Sequence, residues 1–291
     1  MSKRLAVLST TTVVLVYILL LVGAAVRSMG AGMACPDWPT CNGEWIPPFD
    51  PLVFAEWFHR LLVLIVSMLV FIQAALIGAT KELRGRLGIL AIASVLLLLI
   101  QAILGAVTVF ENNSPVTVTL HLLVAAIFFA VIIRIRSKQS STLHVVQDGK
   151  TFPTFRRHVY MSLVLVFIQL GLGGMVSSSH AGLVCPDFPM CNGQWLPAMT
   201  GLVGLQMMHR FMAYAVVLII IGTFAVSRKA GLTTGNKRLV KGCLTVVILQ
   251  FLIGVGLIHA KIPIPMSVAH LGLAMLLWGM LTALVYGIRR N

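Results

Sequence analysis

Four histidines stand inside long apolar runs of this chain: His59, His121, His209 and His270. They form two matched pairs. His59-Arg60 recurs as His209-Arg210, 150 positions later, and His121-Leu122 recurs as His270-Leu271, 149 positions later. An ionisable side chain within a membrane span is costly and marks function by default. A single one is readily explained by a hydrogen bond between helices; four at repeat-equivalent positions ask for more. The close Cys or carboxylate spacing of a structural zinc site is not seen around them, and a proton relay does not account for two similar pairs. Two imidazoles facing each other from parallel helices can bind both axial faces of a heme iron, and bundle interiors are where such sites are built. Another metal, a relay or a structural role remain the alternatives at this point. His144, His158, His180 and His259 have no repeat partner and read as ordinary loop or helix-end residues.

One residue breaks the symmetry between the pairs. Glu56 lies three positions before His59, on the same helical face; the matching position before His209 is Gln206. A carboxylate can take up protons or stabilise developing positive charge, whereas an amide is no base near neutral pH. The asymmetry makes the first half catalytic and the second a heme-holding or electron-relaying half. The competing reading is an ion pair between Glu56 and Arg60, its i+4 neighbour. Arg27, Arg60 and Arg210 sit near the same ends of their spans. Each is a plausible partner for heme propionates or a snorkelling interfacial cation.

Four of the five cysteines form two C-x5-C pairs, Cys35/Cys41 and Cys185/Cys191, each within C-P-D-[WF]-P-x-C-N-G. Both pairs fall in loops on the outer, oxidising side, where disulfides persist, and the Pro and Gly residues make a turn between them. Reduced thiols and a cross-repeat Cys35–Cys185 pairing remain open. No C-x-x-C-H occurs to attach heme covalently. Cys243 lies within an apolar span and reads as an inert small residue.

The elements that must position these residues are membrane spans. The chain has 291 residues, 58% hydrophobic and 10% charged, with a mean hydropathy of +0.97. A spanning helix needs about 20 mostly apolar residues, and eight stretches qualify: 5–27, 54–78, 87–110, 115–135, 157–178, 205–227, 238–260 and 265–288. The first is read as a retained helix and not a cleaved signal peptide, because it has a counterpart inside the chain. The histidine-bearing spans all run in the same direction. Each histidine lies within about two turns of its outer end.

The net charge of +14 is a topology signal. All Lys and Arg residues except Arg27, Arg60, Arg210 and Lys261 fall in alternate loops and at the termini. The positive-inside rule therefore puts both termini in the cytoplasm and the heme sites near the outer face. Nucleic acid is excluded as a partner on this distribution; the partner is the lipid bilayer. No Arg- and Ser-rich presequence precedes the first span, which favours a prokaryotic plasma membrane.

Residues 23–47, GAAVRSMGAGMACPDWPTCNGEWIP, match residues 173–197, GGMVSSSHAGLVCPDFPMCNGQWLP, without a gap. The fold expected is therefore all-α and integral to the membrane, with eight transmembrane helices as two tandem four-helix bundles. Four spans per copy make the repeat parallel. Residues 1–137 form the first half, 138–156 a polar cytoplasmic linker and 157–291 the second half.

Taken together, the E-x-x-H-R motif at Glu56–Arg60, the H-R motif at His209, the later H-L pairs and the doubled cysteine loops resemble the heme A synthase family over nearly the whole chain. That resemblance implies an oxidoreductase that converts heme O to heme A by taking a ring methyl, at C8, through hydroxymethyl to formyl in a water-dependent oxidation. It implies substrate heme O in the first half, facing His59 and His121, and heme b on His209 and His270 in the second. Glu56 matches the family's essential glutamate, and the cysteines match its loop pairs. A heme O synthase and a membrane electron acceptor are implied partners, and a homo-oligomer is compatible. The rival class is a non-modifying di-heme cytochrome b-like carrier. A transporter also uses parallel repeats, but places its site at the midplane.

Overall fold

The computed structural model of the chain describes residues 3–139 and 151–288. Eight α-helices account for most of them: α1 (Lys3–Ser28), α2 (Pro51–Ala79), α3 (Lys81–Phe110), α4 (Pro115–Ser137), α5 (Phe152–Ser178), α6 (Gly201–Ser227), α7 (Thr234–His259) and α8 (Ile264–Gly287). A single 3-10 turn, Ala181–Leu183, follows α5. All eight helices are long and apolar enough to cross a membrane. Extended structure among the described residues amounts to two isolated bridges, Cys41 with Glu44 and Cys191 with Gln194.

Most helices run past the apolar stretches that announce them. The third begins at Lys81 and not at 87, so Lys81, Glu82, Arg84 and Arg86 are helical. Hydropathy marks the part that lipid surrounds, whereas the backbone ladder continues as long as its hydrogen bonds are better made internally than to water. The same holds for α5, which starts inside the segment expected as linker. Residues 140–150 of that linker lie outside the described residues, as does His144.

Three helix starts carry side-chain caps. Asp50 accepts hydrogen bonds from the amides of Leu52 and Val53 ahead of Pro51 at the first helical position. Ser114 caps α4 ahead of Pro115, and Thr233 caps α7 through Asn236 N. Proline at the first position costs no internal bond because that amide has no partner anyway.

The described residues fall into two compact units. The first comprises those up to Gln139 together with Ser267–Gly272; the second comprises those up to Met266 from the second half together with the chain from Leu273. In the first unit the helices pack in a ring: α1 on α2, α2 on α3, α3 on α4, and α4 back on α1. The second and fourth helices are thus diagonal across the bundle interior. A buried cluster of Leu5, Ile77, Leu87, Ala91 and Ile135 closes the Lys/Arg-rich end. In the second unit α5 packs on α6 and α6 on α7. Phe155, Val159, Val240, Leu284 and Ile288 share one cluster, and Phe167 meets Trp278 with ring centroids 5.4 Å apart. Those contacts join α5 and α7 to the latter part of α8.

Large apolar side chains such as Ile89, Leu64 and Leu218 face outward. In water they would form unacceptable patches; against lipid they are the solvent-facing surface. Association of such helices rests on close packing and inter-helix hydrogen bonds. The hydroxyl pair Ser162 and Thr223, 3.0 Å apart and linking α5 to α6, is one.

Candidate functional site

The cap at Asp50 sets the phase of α2, and that phase turns Glu56 inward, where it is 4% exposed. Its two oxygens have different partners. One accepts from Arg60 Nη2 at 2.7 Å; the other accepts from the Cys35 amide at 2.9 Å. Arg60 continues the network. Its Nη1 donates to the carbonyls of Asp37, at 2.7 Å, and Thr40, and its Nη2 donates to Cys35 O at 3.1 Å. The ion pair that competed with a catalytic reading of Glu56 is therefore made. It is one part of a clamp joining α2 to the loop above it.

That loop is a closed ring. Cys35 and Cys41 are disulfide-bonded, and Cys41 and Glu44 exchange backbone hydrogen bonds at 3.0 and 3.1 Å. The Asp37 carboxylate gathers the Thr40 hydroxyl, the Asn42 amide at 2.5 Å and the Gly43 amide at 3.0 Å. Asn42 and Gly43 both have positive φ, which Asn and Gly tolerate best. The Thr40 hydroxyl, then the Gly43 and Asn42 amides, hold the Asp37 carboxyl down at about 2, below its ordinary 3.8.

The second unit repeats the ring and changes the clamp. Cys185 and Cys191 are bonded, which within each unit decides the pairing left open by the sequence. Asp187 accepts from the amides of Asn192 and Gly193 at 2.7 and 2.8 Å. Arg210 donates to Cys185 O at 2.8 Å and Met190 O at 2.6 Å, and lies over the Phe188 ring. Gln206 is as buried as Glu56 but donates, to Gly182 O at 3.3 Å, and its carbonyl oxygen is buried without a hydrogen-bond partner. The conserved geometry thus surrounds an anion in one unit and a neutral amide in the other.

Below the first clamp, His59 and His121 come from the diagonal helices α2 and α4. Nδ1 of each is buried with no hydrogen-bond partner. Buried polar atoms are rarely left so. Two part-buried imidazoles on diagonal helices, each with an orphaned ring nitrogen, are a donor set that a porphyrin iron fits. Among the described residues no three of His, Cys, Asp and Glu gather to hold a bare metal ion; axial ligation of heme iron needs no such cluster.

Two kinds of supporting residue were not singled out as site residues from the sequence. Gly23 gives His59 its seat: a Cβ there would stand 3.2 Å from the imidazole Cε1, and one at Gly173 would stand 3.1 Å from that of His209. Gly105 lies against His121 with more room, 3.6 Å. Gln101 donates to His121 O at 2.9 Å, and Gln169 donates to His209 O at 3.2 Å. The signal was present in the repeat, since Gly23 and Gly173 are equivalent and Gln101 matches Gln250. Nothing in the sequence said that these residues touch the histidines.

Arg27 occupies the last turn of α1. His209 belongs to the second unit, whereas His270 falls within the Ser267–Gly272 stretch that groups with the first; their pairing rests on the repeat. Among the solitary histidines, His158 bonds Thr154 O, His180 takes a positive φ after α5 and His259 ends α7. Cys243 is buried and free.

Comparison with known proteins adds an independent finding. A family model described as cytochrome oxidase assembly protein matches residues 6–52 and 48–282. A heme A synthase of Alkalihalophilus pseudofirmus is 31% identical over 90% of this chain and 93% of its own length. One from Shouchella clausii is 30% identical over 76% and 74%. One from Bacillus licheniformis is 29% identical over 97% and 95%.

Proposed function

This chain belongs to the cytochrome oxidase assembly protein family, in the company of heme A synthases, and we propose that it oxidises heme O to heme A. It is an enzyme of a multi-pass plasma-membrane type. The reaction takes a ring methyl to hydroxymethyl and then to formyl. Each stage releases protons and electrons, and water supplies the oxygen. A membrane electron acceptor takes the electrons and a heme O synthase supplies the substrate.

In this reading His59 and His121 would hold substrate heme O, and His209 and His270 would hold heme b. Bound heme b supplies electron storage. The protein's own part is carried by the first unit. His59 and His121 hold the substrate against the Gly23 wall. Glu56, one turn above His59, presents its carboxylate to the region where protons leave the oxidised carbon. It can take such a proton at the oxygen shared with Arg60 or at the one bonded to the Cys35 amide. The Cys35–Cys41 ring covers this end of the bundle, so proton transfer is confined to the clamp. Arg60 and Arg210 direct their guanidinium groups to loop carbonyls; in this reading Arg27, Arg60 and Arg210 are the cations near the site for heme propionates. The Lys/Arg-rich loops face the cytoplasm, which puts the ring and both heme sites near the outer face.

The observation that carries the proposal is Glu56 opposite Gln206 in two otherwise matching clamps. The test is Glu56→Gln in the full-length membrane protein, with pigments extracted and weighed by mass spectrometry. Bound heme should persist while heme A disappears. Normal heme A content in that variant would overturn the catalytic assignment. A protein that carries two unmodified hemes in the unsubstituted form would instead be the cytochrome b-like carrier.

A further inference from the structure

The loop between the disulfide ring and α2 has an apolar stretch, Trp45-Ile46-Pro47-Pro48-Phe49, bracketed by Glu44 and Asp50. Trp45 is 74% exposed, Ile46 77% and Phe49 80%. A loop projecting into water would not normally show three such side chains together.

This loop does not project. The indole of Trp57 donates to Trp45 O at 2.7 Å. Trp57 is six residues past Pro51, and its side chain leans back over the preceding turn to meet Trp45. The loop is therefore held against the flank of the first turns of α2. Phe49 packs on Phe54 with centroids 5.7 Å apart, and Phe54 on Trp57 at 5.9 Å. Phe54 heads the outward-facing stripe of α2, which continues through Leu64, Met68 and Phe71 at helical spacing. Through the Phe49–Phe54 contact the loop's apolar side chains join that outward apolar surface. The stripe belongs to a helix whose length and composition suit a membrane span, so the surface it continues is one that lipid covers.

We propose that residues 45–49 are seated in the lipid interface of the membrane leaflet at the disulfide end, as an anchor for the ring that covers the first site. Trp and other amphipathic aromatics favour that headgroup level. The flanking Glu44 and Asp50 keep the two ends of the segment at the water boundary. Through the backbone pair of Cys41 and Glu44 the anchor is joined directly to the disulfide ring. The second unit has a counterpart, with Trp195 67% and Leu196 77% exposed. The aromatic rim is particular to the first unit, because Met199, Gly204 and Met207 stand where Phe49, Phe54 and Trp57 do. The inference is independent of which reaction the site performs.

The test uses the full-length protein in lipid nanodiscs, with a nitroxide attached at Ile46→Cys and, separately, at Phe49→Cys. Both positions are exposed, and the sole free native thiol, Cys243, is buried. Collision with oxygen, which enriches in lipid, is compared with collision with a water-soluble nickel chelate. Met68→Cys on the outward stripe and Glu111→Cys in the α3–α4 turn are the references. The oxygen-to-nickel ratio at both loop sites should exceed that at Glu111 by roughly threefold or more, as expected at the headgroup level. Ratios equal to that at Glu111 would overturn the proposal, leaving a water-exposed loop. Labels shielded from both relaxants would also overturn it, in favour of a protein partner or a second copy. If one variant fails to assemble, the other gives the same reading.

Discussion

The Glu56 carboxylate accepts the backbone hydrogen of Cys35 at 2.9 Å, across a sequence separation of 21 residues. One buried side chain on α2 thereby holds both the arginine below the loop and the disulfide that closes it. A change at the ring is felt at the carboxylate, and the carboxylate stands one helical turn from His59.

Arg60 and Arg210 should prove to be loop anchors as much as charges. Arg210→Ala removes bonds to Cys185 O and Met190 O. Hydrogen bonds to charged groups contribute about 1.5–3 kcal/mol each, so the second ring should loosen by a few kcal/mol. Lysine cannot reproduce a forked set of donors, and Arg210→Lys should recover little. Limited proteolysis between Cys185 and Gln194 reads the effect; a loop as resistant as the unsubstituted one would refute the anchor role.

The two disulfides should differ in what their loss costs. Cys185→Ser with Cys191→Ser removes a short closure, about 2 kcal/mol in the chain-entropy account, and should lower the melting temperature while leaving heme A formation measurable. Cys35→Ser with Cys41→Ser frees the Cys35 amide that Glu56 binds. It should lower heme A formation at least as far as it lowers stability. Equal effects of both pairs on product, at equal heme content, would contradict this difference.

Acid should open the first ring through Asp37. Its folded carboxyl titrates at about 2 against an ordinary 3.8. The depressed value means that ionised Asp37 contributes stability that is fully present above pH 3.8 and is lost as pH falls toward 2. The second ring should follow the same direction, since the Gly193 and Asn192 amides also hold Asp187 below its ordinary range. The protection of the Asn42 and Gly43 amides against hydrogen exchange, taken relative to the intrinsic rate at each pH, should fall as pH is lowered from 5 to 2. In Asp37→Asn that pH-dependent loss of protection should vanish.

Glycine substitutions separate a wall from a helix. Gly23→Ala puts a methyl 3.2 Å from the His59 ring, and Gly173→Ala puts one 3.1 Å from that of His209. Both should shift the heme absorption bands and weaken heme retention by about tenfold, a cost near 1.4 kcal/mol. Gly105→Ala, at 3.6 Å from His121, is ordinary contact and should leave the spectrum unchanged. Alanine is the better helix former throughout, so loss at Gly23 alone cannot be ascribed to a weakened helix. Identical spectra in all three variants would remove the glycines from the site.

Much of this protein was legible in one dimension. The eight spans, the repeat and the four histidines follow from apolar length and from a constant offset, because a lipid solvent demands long self-satisfied helices and a duplication preserves spacing. The choice between Glu56 as an ion-pair partner and as an active carboxylate could not be read that way. Helical spacing brings both Arg60 and His59 within reach of Glu56, and only the tertiary structure adds the Cys35 amide as a third partner. The arginines show the same limit: charge near a span end suits a propionate or an interface, and the fold turned Arg60 and Arg210 toward loop carbonyls. The seats at Gly23 and Gly173, the contact of Trp45 with Trp57 and the diagonal placement of α2 and α4 likewise depend on which helix lies beside which. Sequence determined which residues are available and at what depth. The packing of the bundle decided their partners, because direction across a bundle is set by neighbours and not by spacing along one chain.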